Sequence, residues 1–163
     1  MTNSQKLAVY GGEKAIQTPL IRYNPIGGEE AEAVQRVMSS GILSDYLGSD
    51  GEKFLGGDQV RKFEKLVASH FCVKHAISVN SWTSGLIAAV GALDLEPGDE
   101  VIVPPFTMCA TATAVLVWNA IPVFADIEAD KFCICPVSVE ENITERTKAI
   151  IVVDIFGQSA DMK

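Results

Sequence analysis

Short apolar runs alternate with segments of helical spacing along the second half of this chain, and few folds accommodate that rhythm. The runs are Ala76-Ile77-Ser78-Val79, Val101-Ile102-Val103, Ile121 to Ile127 and Lys148 to Ile155. Between them the pattern predicts helices from Ser81 to about Leu93, from Thr107 to Trp118 and from Val137 to Ile143. Asn80 and Ser81 supply cap chemistry for the first of these, and Pro97-Gly98-Asp99 reads as a turn. A strand that is apolar on both faces has to be covered on both sides. The rhythm therefore predicts an α/β fold, a mostly parallel sheet with helices on both faces.

The first half reads differently. Residues 1–24 form an N-terminal arm, with Leu7-Ala8-Val9-Tyr10 and then Gly11-Gly12 ahead of an extended, proline-containing run. A helix is expected from Gly28 to Ser39, where Ala31, Val34 and Val37-Met38 recur at helical spacing and Glu29, Glu30 and Glu32 sit where the helix dipole favours anions. Gly41 should end it. A Gly/Ser/Asp-rich loop follows over residues 40–58, then a helix to about Phe71 with Val60, Phe63, Leu66 and Val67 as its apolar stripe. The domain reading is an arm over 1–24 and one incomplete large domain over 25–163.

Apolar residues make up 48% of the 163, enough for a buried core. A net charge of −8 with no cluster of Lys and Arg argues against a nucleic acid or an anionic membrane as partner. Cys72, Cys109, Cys133 and Cys135 form no C-x-x-C pair, so no metal site is expected and the thiols read as reduced, in a cytoplasmic protein. Val101 to Ala125 carries no charge, but Pro104, Pro105, Asn119 and Pro122 interrupt it, so strand, loop and helix fit better than a membrane span. The polar Met1–Lys6 segment lacks the apolar core of a signal peptide.

In a parallel sheet of this kind, ligands bind at the carboxyl ends of the strands. That rule selects Asn80–Gly85, Pro104–Cys109 and Asp154–Gln158. The first places Ser81, Thr83 and Ser84 at a helix amino end, where unpaired N–H groups and the dipole favour phosphate. Capping alone also accounts for these hydroxyls. Neither GxGxxG nor GxxxxGK[ST] is present, which disfavours dinucleotides and ATP. A single phosphate, as on pyridoxal phosphate (PLP), suits the turn better. Taken alone, Phe106 and Met108 read as core residues before they read as cover for a flat ligand. Asp154 can act in chemistry or cap a loop, and no His–Ser or Cys–His pair accompanies it.

Six motifs occur in order: Asn80-Ser81-Trp82-Thr83-Ser84-Gly85-Leu86, Pro97-Gly98-Asp99-Glu100-Val101-Ile102-Val103-Pro104, Phe106-Thr107-Met108-Cys109-Ala110-Thr111, Pro122-Val123-Phe124-Ala125-Asp126-Ile127, Ile143 to Ile151, and Gly157-Gln158-Ser159-Ala160-Asp161-Met162. Together they resemble the DegT/DnrJ/EryC1/StrS family of PLP-dependent sugar aminotransferases over residues 25–163. The arm is similar to the branch holding aminohydroxybenzoate synthases and cyclitol aminotransferases. The resemblance implies a partial large domain of the type I, aspartate-aminotransferase-like fold and a cytoplasmic homodimer with shared sites. It implies amino transfer from glutamate or glutamine to a keto-sugar, often nucleotide-linked, or a cyclitol, as in cell-wall or polysaccharide biosynthesis. It assigns PLP phosphate binding to Thr83 and Ser84, and the ring-covering position, commonly aromatic, to Met108. Asp154 stands where His is frequent, and Leu43 to Gly57 is expected near substrate.

By the same resemblance, the Schiff-base lysine and the acid that pairs with the pyridine nitrogen are expected beyond Lys163. The chain then reads as a truncated fragment, inactive alone, and neither role passes to Asp154, Lys148 or Lys163. The alternatives are a non-catalytic binding or assembly module that retains half the fold, and a phosphate-binding α/β domain unrelated to PLP.

Overall fold

Val101, Ile102 and Val103 are fully buried, and the rest of the sheet is arranged around them. The structure is a computed structural model describing residues 6–19 and 21–162. Met1–Gln5, Leu20 and Lys163, and with them the readings of the polar N-terminus and of Lys163, lie outside the described residues. Strand β1 (Glu100–Val103) is central, flanked by β2 (Ile121–Phe124) and β3 (Thr147–Ile150) in the order β2-β1-β3, all parallel. Side chains alternate across a strand. Val101 and Val103 therefore pack with Val115 and Ala120 on one face, while Ile102 packs with Ala125 and Ile134 on the other.

Helices α1 (Gly28–Ser40) and α2 (Asp58–His70) precede α3 (Trp82–Gly91), α4 (Ala110–Leu116) and α5 (Pro136–Asn142). Val115 of α4 covers one face of the sheet and Val139 of α5 the other, as strands apolar on both sides require. By contacts the chain forms two compact units, residues 1–58 and 59–163. In the first unit, the Glu30 carboxylate accepts the Gly27 N–H at 2.7 Å at the start of α1, and that bond lowers its pKa. Gly41 closes the helix with a left-handed φ of 69°.

Two expectations about strands are corrected. Ala76–Val79 is not a strand of this sheet: it pairs with neither edge and is held by Ser78, whose N–H and Oγ both donate to Glu64 Oε1, at 2.7 and 2.8 Å. An apolar run reports burial propensity, but a strand also needs a neighbouring ladder, and Ile77 is 84% exposed. Within the runs at 121–127 and 148–155, strand is formed only over 121–124 and 148–150, β3 beginning one residue earlier at Thr147. Pro122 is tolerated because the Ile121 and Ala125 N–H groups donate to β1 carbonyls or their neighbours, so the alternate position, Pro122, turns its missing donor to the open edge. Beyond β2, Ile127 and Ile134 form a single antiparallel bridge.

The amino end of β1 carries an ion pair between a buried carboxylate and an exposed guanidinium. Glu100 accepts Thr144 Oγ1 at 2.5 Å and Arg146 Nε at 2.8 Å, and Arg146 Nη2 also donates to it. The Thr144 hydroxyl first, and the Arg146 guanidinium second, hold this carboxyl below the usual carboxylate range.

Candidate functional site

The segment entering α3 is extended at Ser81, which places its hydroxyl over the first helical turn. Ser81 Oγ accepts the Ser84 N–H at 3.2 Å and lies 3.2 Å from Ser84 Oγ. The amides of the first turn have no acceptor within the helix. Ser81, Thr83 and Ser84 bring three hydroxyls to the positive end of the dipole, the Ser84 amide is taken by Ser81 Oγ, and no carboxylate falls in residues 80–85. This donor set fits a phosphate monoester, the group by which PLP is held. Thr83 is exposed and Ser84 half-buried. A methyl group on Gly85 would lie 2.9 Å from Trp82 Cε3 and 3.3 Å from Val79 Cγ2, so glycine here lets the indole fold back on the turn.

The orientation of α3 follows from its other end. Trp118 Nε1 donates to the Ile87 carbonyl at 2.8 Å, and a Cβ on Gly91 would overlap the Trp118 ring. The C-terminal ends of α3 and α4 therefore meet. Met108 lies in the loop after β1, at its carboxyl end.

Met108 precedes α4, its carbonyl accepts the Thr111 N–H at 3.0 Å, and the residue is 76% exposed. Phe106 is 43% exposed. Neither is a core residue, because Pro104-Pro105 keeps the chain out of helix until Ala110 and holds this loop above the sheet edge. Asp154 Oδ1 accepts the Ala160 N–H at 2.9 Å, so this carboxylate braces the loop after β3. That loop meets the loop after β1: the Phe106 and Phe156 rings lie 6.4 Å apart, edge to face. The contact was not foreseen from the sequence, and the only local signal for it was the Phe156-Gly157 pair. Lys148 lies at the opposite end of the sheet, 3.8 Å from Asp99 Oδ1. Among the described residues there is no group of His, Cys, Asp and Glu able to hold a metal, and no helix is long and apolar enough to cross a membrane.

The chain is 38% identical over 162 residues to an L-glutamine:2-deoxy-scyllo-inosose aminotransferase of Streptomyces lividus, covering 98% of this chain and 37% of that one. It is 42% identical over 137 residues to the spore coat polysaccharide biosynthesis protein SpsC of Bacillus subtilis, covering 84% and 32%. The crystal structure of 3-amino-5-hydroxybenzoic acid synthase superposes with a TM-score of 0.75 at 31% identity, covering 90% of this chain and 36% of that one. The chain thus spans about a third of the length of the relatives it matches. The profile of the DegT/DnrJ/EryC1/StrS aminotransferase family matches residues 26–163, and the chain belongs to that family, as part of a type I PLP-dependent transferase fold.

Proposed function

We propose that this chain is part of a homodimeric enzyme that uses PLP to transfer an amino group from glutamine or glutamate to the carbonyl carbon of a keto-sugar or cyclitol, and that the 163 residues alone do not turn over. The observation that carries the reading is the amino end of α3, capped by Ser81 within a run that bears three hydroxyls and no carboxylate. Thr83 and Ser84 donate to the cofactor phosphate, beside the amides of the first turn. Ser81 holds that turn in place, and Met108 lies against the cofactor ring as a soft apolar cover. PLP, when bound, supplies the electron sink that transamination requires. No residue of this chain is assigned the proton transfer or the pairing with the ring nitrogen. Lys148 is at the wrong end of the sheet, and Asp154 is engaged by the Ala160 amide.

The test is transfer of ¹⁵N from labelled glutamine or glutamate to a ring ketone, read by mass spectrometry on PLP-loaded protein of the relatives' full length, with the 163-residue chain beside it expected to give none. Labelled amino product supports the reading, and its absence with both donors overturns it. Replacing both Thr83 and Ser84 by Ala removes two hydrogen bonds of about 1 kcal/mol each. PLP affinity should then fall roughly thirtyfold. An unchanged affinity would mean that the phosphate is held elsewhere.

A further inference from the structure

The turn at 80–85 is entered through a segment that pairs with no strand of the sheet. After α2 the chain turns at Cys72, which has a left-handed φ of 53°, and the Val73 N–H donates to the Ala68 carbonyl at 3.0 Å. The chain then returns to α2, where Ser78 meets Glu64, 14 positions earlier. A single oxygen, Glu64 Oε1, accepts the Ser78 N–H at 2.7 Å and the Ser78 hydroxyl at 2.8 Å. Both residues are half-buried, but Ile77 and Val79 on either side of Ser78 are exposed. Apolar packing at this point is slight, so the anchor is the carboxylate. Hydrogen bonds to a charged acceptor are about twice as strong as neutral ones. Beyond the anchor, Val79 Cγ2 lies 3.3 Å and Trp82 Cε3 2.9 Å from where a Cβ on Gly85 would stand. Ser81 Oγ takes the Ser84 N–H at 3.2 Å. The anchored Ser78 thus leads within a few residues into a turn that has contacts on both sides of Gly85, and a shift at Ser78 is passed on to Thr83 and Ser84.

We infer that Glu64 is a positioning residue for the cofactor phosphate: through Ser78 it fixes the entry to α3, and with it the place of the Thr83 and Ser84 hydroxyls. The inference rests on the proposed reading of residues 80–85 and adds to it a residue of α2 that acts through another side chain. A scaffold role and a positioning role differ in what they disturb. Loss of a scaffold contact lowers stability and weakens every ligand alike. Loss of a positioning contact weakens the phosphate end of the ligand and spares the rest, because hydrogen bonds depend steeply on distance and angle.

The experiment needs no turnover. Cofactor-free protein of the relatives' full length is titrated with PLP and with pyridoxal, and binding is read by absorbance. The ring and the aldehyde are common to both probes, so the ratio of the two affinities reports the phosphate alone. Glu64→Ala should weaken PLP about tenfold, the equivalent of one bond to a charged group, and leave pyridoxal unchanged. Glu64→Gln keeps an acceptor oxygen and should restore most of the ratio. Ser78→Ala is milder, because the amide donor remains. It should lower the ratio about threefold, and it decides the matter even if Glu64→Ala does not fold. In the Glu64→Ala background, Ser78→Ala should add nothing, since the two side chains act as one contact. The inference is overturned by an unchanged PLP affinity in Glu64→Ala, by equal weakening of PLP and pyridoxal, or by the full Ser78→Ala loss on top of Glu64→Ala. A wild type that holds PLP no tighter than pyridoxal instead removes the phosphate turn itself, and the inference falls with it.

Discussion

At position 91 two effects of a single methyl group oppose each other. Replacing a helical glycine by alanine ordinarily gains about 1 kcal/mol. At Gly91 the added Cβ would overlap the Trp118 indole, whose Nε1 holds the Ile87 carbonyl at 2.8 Å. Displacing the ring loses that bond, about 1 kcal/mol, and forces repacking that costs about 1–3 kcal/mol. Gly91→Ala should thus destabilise by about 1–3 kcal/mol and redden tryptophan emission, whereas Gly28→Ala, with nothing within 4 Å, should stabilise. Denaturant melts of the two variants check the opposite signs. Glu100 gives a pH signature. Its folded carboxyl titrates below its ordinary value of 4.5, chiefly through the Thr144 hydroxyl and then Arg146. The unfolded state then binds more protons as pH falls, so this contribution is whole above about pH 4.5 and is lost on acidification through the folded value. Glu100→Gln should flatten the acid limb of the stability curve; an equally steep limb would show that Glu100 does not contribute. Ser81 was legible as a cap because cap chemistry is local, whereas the Glu100–Arg146 pair spans 46 positions and leaves no periodic trace in the sequence.

Among the elements, helices were easier to read than strands, for a physical reason. A helix satisfies its backbone within its own sequence, so α1, α2 and α3 begin where caps and periodicity place them. A strand depends on a neighbour elsewhere, and the Ala76–Val79 run carries the apolar signal without the ladder. What holds that segment is one carboxylate oxygen, Glu64 Oε1, receiving both donors of Ser78. Glu64→Ala should free the segment, speeding amide exchange at residues 76–79 while β1 amides keep their protection. Exchange that rises equally in both would mean the segment is held by packing instead. Met108 and Phe106 show the converse error. They are apolar, and apolarity alone suggested the core, but the proline pair before them lifts the loop out to the sheet edge.

For the molecule as a whole, the α/β class was legible because runs apolar on both faces leave few architectures, and α4 and α5 cover opposite faces of the sheet as required. How much apolar surface stays outside the described core was not legible, because periodicity marks an apolar face without naming what covers it. Phe63 and Leu66 on α2, Ile77, and Phe124 on the β2 edge are all exposed. Both β2 and β3 also leave one side of their backbone unpaired within the three-stranded sheet. Such surfaces drive association, while a net charge of −8 opposes it through repulsion. Salt decides between the two, because the Debye length shrinks from roughly 30 Å at 0.01 M to about 3 Å at 1 M while apolar attraction persists. The 163-residue chain should therefore scatter light as a smaller species at low ionic strength and grow with added sodium chloride, with fluorescence of a hydrophobic dye falling as surfaces become covered. Growth at low salt that reverses on salt addition would identify ion pairs as the contact, and a salt-independent monomer with a cooperative melt would show that these apolar faces are not association surfaces at all.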